Sequence, residues 1–149
     1  DSNLAAPGKI GQCIQVFKAD VTSTTSASFV AITGITLSIT PSATSSKILV
    51  IPDLYISTTA DTVGDAQLFR DTTIIGGDDE NDVFQMTGGA DSWRSTRWHC
   101  NFIDSPSTTS ATTYLVKWLI PSGTIYLNRA GAGDNVSGSS TFTLMEILA

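Results

Sequence analysis

Charge is scarce in this chain: Lys, Arg, Asp and Glu together supply 15% of its 149 residues, where a quarter is usual. What charge there is has the wrong sign for nucleic acid. Eight basic residues against fourteen acidic ones leave a net charge of −6, while phosphate-backbone binding needs clustered cations that release counterions. No window holds eighteen consecutive apolar residues, so no membrane-spanning helix is expected. The only two cysteines, Cys13 and Cys100, lie far apart and outside any CxxC setting, which argues against a cysteine metal site. With a single histidine, His99, and no G-x-S-x-G turn, a Ser/His/Asp hydrolase would have to be built on that one residue. The Gly-rich stretches lack the Lys-Ser/Thr of a phosphate loop. Helical periodicity is missing too, because no stretch keeps apolar residues at i, i+3, i+4 and i+7 without meeting Gly, Pro or a Ser/Thr cluster.

The polarity that is present comes from hydroxyls, since Ser and Thr make up about a quarter of the residues. Thr is β-branched and suits a pleated surface. Alternating runs are correspondingly frequent. Ile35, Leu37 and Ile39 alternate with Thr36, Ser38 and Thr40, the pattern of a half-buried strand. Lys47–Ser57 is apolar on both faces, as in a central strand, with Pro52 expected at a bulge or an edge. Strand-like alternation starts at Ile10, where Ile10, Ile14 and Val16 read as one face and Cys13 and Phe17 as the other, so this strand is covered on both sides or lies at a subunit contact. Cys13 and Cys100 are expected to be buried free thiols. Further runs fall at 29–32, 66–70, 74–75, 83–86, 93–103, 114–120, 124–128 and 141–148, separated by turn-rich segments, with Asp20–Ser26 a polar break and Gly34 a turn. The expected fold is all-β, a jelly-roll-like β-sandwich of about 8–10 short antiparallel strands. Residues 1–8 read as an N-terminal arm or linker and 9–149 as a single domain.

Three segments carry a resemblance. They are Gly8-Lys-Ile-Gly-Gln12, Leu37-Ser-Ile-Thr-Pro-Ser-Ala-Thr-Ser-Ser-Lys-Ile-Leu-Val50, and the C-terminal order from Trp98 through Asp104-Ser-Pro and Tyr114 to Leu144-Met-Glu-Ile147. Together they resemble a domain of tail-fibre, head-fibre or decoration type found on the virion surface of bacteriophages, particularly aquatic ones, over about residues 9–149. The resemblance implies a β-sandwich that works as a homotrimer alongside other virion proteins, and it transfers no catalytic residue.

Two site hypotheses follow from the residues. Asp78, Asp79 and Asp82 lie in the acidic run Gly77–Asp82 and could hold Ca²⁺, which wants six to eight oxygens. The EF-hand spacing is absent, a second loop bearing Asp61 or Asp65 would be needed, and a solvated acidic loop is the commoner outcome. Trp93, Arg97, His99 and Asn101 alternate on one polar strand face and form a candidate glycan-facing or subunit-facing patch, set against a structural role for the histidine. Trp98 alternates with Cys100 and Phe102 and belongs to the core. A glycosidase needs two carboxyls at a fixed separation, and the main strand-borne acids are Asp53 and Glu146. The expected function is therefore a non-enzymatic virion-surface protein, without cofactor, nucleic acid or membrane partner. Its role is host attachment through a surface glycan or protein, with capsid decoration as the alternative and a glycan hydrolase behind both.

Overall fold

The computed structural model describes residues 8–59, 62–76, 84–87, 95–130 and 138–148. Among these residues the chain is all-β, forming twelve strands and no helix. They are β1 (Lys9–Lys18), β2 (Thr22–Thr24), β3 (Val30–Ile39), β4 (Lys47–Thr58), β5 (Val63–Arg70), β6 (Thr73–Ile75), β7 (Phe84–Thr87), β8 (Ser95–His99), β9 (Phe102–Asp104), β10 (Thr112–Leu119), β11 (Ile125–Leu127) and β12 (Ser140–Leu148). They form two antiparallel sheets packed as a β-sandwich, one built around β4 and the other in the order β3-β10-β5-β6, with β7 also on β5.

The first sheet is simpler than its strand count suggests. On one flank of β4, β12 pairs with Lys47–Asp53 and β11 with Ile56–Thr58. On the other flank, β9 pairs with Ile48–Val50 and β8 with Asp53–Ser57. β11 and β12 are thus two lengths of one line, as are β8 and β9, while β1 and β2 extend the sheet beyond β12 and β11 respectively. Strand periodicity then decides burial: Ile48, Val50, Leu54 and Ile56 of β4 point into the sandwich and are fully buried, against Tyr114, Val116 and Trp118 of β10. Each such side chain contributes about 1.5–3 kcal/mol on burial.

Several expectations are corrected in register rather than in type. Pro52 lies in the interior of the central strand, opposite Phe142 on β12, and not at an edge. The ladder on the opposite flank stops at Cys100–Asn101, where β4 offers Pro52, which has no N–H to donate. The run expected as a single strand over 93–103 is therefore split into β8 and β9. Gly34 does not turn the chain; it adopts φ +83° within the continuous strand β3, where the register to β10 slips. The polar break at Asp20–Ser26 contains the short strand β2. In β1 the register slips between Ile10, opposite Ile147, and Cys13, opposite Met145. That bulge puts Ile10 on the same face as Cys13, Gln15 and Phe17. This face is the outer one: Cys13 is exposed and Phe17 is 64% exposed. Both cysteines are free, but only Cys100 is partly buried, which raises its thiol pKa to about 11.

Two buried polar devices lie at one end of the sandwich, centred on Asp104 and Glu146, which flank Ile48 in one cross-strand row. Arg70 of β5 donates to both carboxylate oxygens of Asp104 on β9 (2.7 and 2.8 Å), and the hydroxyl of Tyr114 on β10 donates to Asp104 Oδ2 at 2.7 Å. This clasp ties one sheet to the other. Burial, reinforced by the Asp104 carboxylate, raises the Tyr114 pKa and keeps its hydroxyl protonated.

Glu146, 1% exposed, accepts from the Ser42 amide and hydroxyl (both 2.6 Å) and from Gln12 Nε2 (2.8 Å). It thereby pins the β3–β4 loop to β1 and β12. Burial alone would raise this carboxyl, but the donors outweigh it and hold it at about 2, below the ordinary 4.5. The folded-state value is depressed, so the stabilisation is complete above pH 4.5 and is lost as pH falls toward 2. Glu146→Gln should therefore cost about 2–3 kcal/mol at pH 7 and much less near pH 2, as read from urea midpoints at the two pH values. An equal cost at both would contradict an ionised Glu146.

Gly8 and Leu148 meet at this end of the sandwich, where the Gly8 amide donates to the Leu148 carbonyl at 2.7 Å.

Candidate functional site

The outer face of the first sheet divides into two halves. Near Gly8 and Leu148 it carries a cluster of apolar side chains. Ile10 lies opposite Ile147, and the next outward row runs Cys13, Met145, Leu49, Ile103 across four strands, with Ile103 54% exposed. Further along β4 the face turns polar. Asp53 is opposite Thr141 on one side and His99 on the other, and Tyr55 is opposite Arg97.

Arg97 and His99 therefore share the face of β8 that projects outward, and both are exposed. Arg97 Nη1 meets Asp53 Oδ1 at 3.1 Å, and its guanidinium carbon stands 5.8 Å from the centre of the Tyr55 ring. The Tyr55 hydroxyl is hydrogen-bonded to Ser95 Oγ. Arg97 and Asp53 are 49% and 44% exposed, so their pairing adds little stability and leaves donors and acceptors open to a ligand. Asn101 is exposed too, in the gap between β8 and β9. Trp93, the fourth residue of this group, lies outside the described residues, as do Asp78, Asp79, Asp82 and Asp61. Asp65 lies on β5, where burial raises its pKa. Among the described residues no group of three or more His, Cys, Asp or Glu is placed to hold a metal ion.

Beside Tyr55, β11 ends at Leu127 and β12 begins at Ser140. Asn128, directly after β11, adopts φ +62°. Its amide Nδ2 donates to the carbonyls of Lys18 (2.8 Å) and Asp20 (3.1 Å), its Oδ1 accepts from Ser140 Oγ (2.6 Å), and Ser140 Oγ accepts from the Tyr55 amide (2.9 Å). The Gly138 amide donates to the Asn128 carbonyl at 3.1 Å. A Cβ at Gly138 would stand 2.2 Å from the Tyr55 ring, so only glycine lets the chain pass over that ring. On the same face, Arg129 stacks over Tyr126 at 4.6 Å. The result is two tyrosine–arginine pairs with hydroxyls, a histidine and a carboxylate, an arrangement suited to hydrogen bonding and stacking.

Asp53 and Glu146 do not form a carboxyl pair. Glu146 is opposite Ile48, whose side chain points inward, while Asp53 lies five residues further along β4 and points outward. They occupy opposite faces of the sheet. Trp98, Tyr114 and Trp118 are core residues. Reading the sequence alone missed Tyr55, Asp53 and Ser95 as neighbours of Arg97. The signal available was that Tyr55 and Asp53 share a face of β4, but nothing local said that β8 would pair with it.

No family model matches the sequence, and no curated protein does. Solved structures do. A structure of the infectious bursal disease virus Gt strain aligns over 97% of this chain with a TM-score of 0.51 at 13% identity. The shared feature is the fold. The chain spans about two fifths of the length of that viral chain, 39%. The Gx strain of the same virus aligns over 93% of this chain and 37% of its own, with a TM-score of 0.49 at 12% identity. The crystal structure of that virus's VP2 subviral particle aligns over 93% and 38%, with a TM-score of 0.48 at 14% identity.

Proposed function

We propose that this protein is a non-enzymatic structural protein of a virus particle, displayed on the virion surface. The observation that carries the reading is the β-sandwich itself, which aligns along nearly all of this chain with part of a virus structure. The resemblance to phage fibre and decoration domains points the same way. In its finer form the proposal is a homotrimeric bacteriophage fibre or receptor-binding domain that mediates host attachment. It would be tethered at the end where Gly8 and Leu148 meet, with the polar half of the outer face presented to a host glycan or protein. Weak single contacts would gain avidity from several copies. Tyr55 and Tyr126 would offer rings, and Arg97, His99, Asn101 and Asp53 would offer hydrogen bonds.

Capsid decoration is the second reading. It is favoured by the apolar half of the same face, since contiguous exposed apolar surface usually marks a protein contact.

The test is binding of the labelled protein to susceptible host cells, in competition with phage adsorption. Saturable, competing binding is expected, and Arg97→Ala together with His99→Ala should weaken it about tenfold, the size of one or two lost hydrogen bonds. Binding to shells lacking the protein, with none to cells, would move the role to decoration. Binding to neither would overturn both.

A further inference from the structure

In a chain with eight basic residues and a net charge of −6, two arginines come together where the outer face of the first sheet turns polar. The other described cations are engaged elsewhere. Lys18 pairs with Asp20 and Arg70 with Asp104. Lys117, on β10 of the second sheet, stands 3.8 Å from the centre of the Phe69 ring. Lys9 and Lys47 lie opposite Leu148 and Ile147, at the end where Gly8 and Leu148 meet.

Arg97 and Arg129 instead flank the central strand. Arg97 on β8 is opposite Tyr55 of β4, while Tyr126, over which Arg129 stacks, is on β11 opposite Ser57, two residues further along β4 on its other flank. With strands about 4.8 Å apart and about 3.4 Å per residue along a strand, the Cα atoms of Arg97 and Tyr126 stand roughly 12 Å apart. That is a span for several linked sugar rings, not for one. Each tyrosine ring on this half comes with a guanidinium, at 5.8 Å from Tyr55 and 4.6 Å from Tyr126, so a ligand that reaches a ring also meets a cation. A guanidinium carries five N–H donors and accepts nothing, and its best partner is an anionic oxygen pair that it can grip with two parallel bonds.

Asp53 is the only carboxylate that the described strands place on this half of the face. It is 44% exposed and holds Arg97 through one contact at 3.1 Å, a weak pairing that a ligand can displace. Two cations at this spacing on an acidic chain do not amount to the clustered charge that a nucleic-acid backbone requires.

We infer that the ligand of this face is an anionic glycan, its carboxylate or sulfate groups bound by Arg97 and Arg129 while Ser23 and Ser95 beside them meet its hydroxyls. This rests on the attachment reading and narrows it. The two kinds of glycan differ in what they ask of Asp53: a neutral one gains an acceptor from it, whereas an anionic one is repelled by it and competes with it for Arg97.

The test measures binding of the labelled full chain to susceptible host cells and to beads carrying oligogalacturonate, dextran sulfate or uncharged dextran. Saturable binding to the cells and to at least one anionic bead is expected, with none to dextran, and the captured anionic sugar should displace the protein from cells. Capture by oligogalacturonate alone assigns the carboxylate, and by dextran sulfate alone the sulfate. Arg97→Gln and Arg129→Gln should each weaken binding about tenfold. Asp53→Asn should tighten it about threefold, and Lys117→Gln, which removes the same charge from the other sheet, should leave it unchanged. Unaltered urea midpoints verify that the variants fold.

Cell binding that neither anionic sugar displaces and both Gln variants retain would overturn the anionic ligand and leave host attachment standing. Arginine-dependent capture on beads without any binding to cells would do the reverse. Equal capture on dextran, or weaker binding by Asp53→Asn, would overturn the inference, and binding to neither cells nor beads would overturn both readings.

Discussion

Asp104→Ala is expected to destabilise the fold by about 3 kcal/mol, toward the lower end of what breaking a buried ion pair costs. Arg70 retains 24% exposure and recovers part of its solvation, which is why the upper end is not reached. The Tyr114 hydroxyl has no such recourse, because that residue is fully buried and loses the acceptor 2.7 Å away. Tyr114→Phe removes only that hydroxyl and should cost about 1–2 kcal/mol. Replacing the charged partners together, Asp104→Leu with Arg70→Met, should recover much of the loss, since apolar groups of similar size fill such sites without leaving a charge unpaired. Urea denaturation monitored by tryptophan fluorescence reads all three. A midpoint for Asp104→Ala indistinguishable from wild type would show that the clasp does not tie the sheets together.

Asn128→Ala should be at least as damaging, by about 3–4 kcal/mol. Three hydrogen bonds disappear: two donated to the carbonyls of Lys18 and Asp20 and one accepted from Ser140. Each is worth about 1 kcal/mol, with a further cost wherever a buried group is left unpaired. The backbone adds roughly 1 kcal/mol, because φ is +62° and alanine tolerates the left-handed region less well than asparagine. Asn128→Gly separates these contributions, since it keeps the conformation and loses only the side chain. The same node orders the polar half of the outer face, so amide exchange at Tyr55 and Gly138 should accelerate in both variants. Unchanged protection at these two amides would place the support of that face elsewhere.

The two devices differ in what the sequence showed of them. Tyr114 and Trp118 fell within one expected strand, 114–120, yet nothing near Tyr114 indicated that its hydroxyl would meet Asp104, or that Arg70 would arrive from a third strand. Asn128 read as the end of a strand beside a Gly-rich turn. Its role depends on Lys18 and Asp20, more than a hundred residues away.

The alternation of side chains is a property of the extended backbone itself, and so it is written locally. It determined the all-β class, most strand positions, the inward direction of Trp98 and the shared polar face of Arg97 and His99. Register is not local. It depends on which strands pair, and one inserted residue moves side chains to the other face. The bulge in β1 therefore turned Ile10 outward beside Cys13 and Phe17, on a face the sequence had allowed to be covered. Pairing partners likewise placed Pro52 inside the central strand, where a proline in isolation argues for an edge. They also set Asp53 and Glu146 on opposite faces of one sheet. The sequence by itself determined that strands form and which residues alternate; tertiary packing decided which faces meet the core, the solvent and each other, because those choices are made by contacts between segments far apart in the chain.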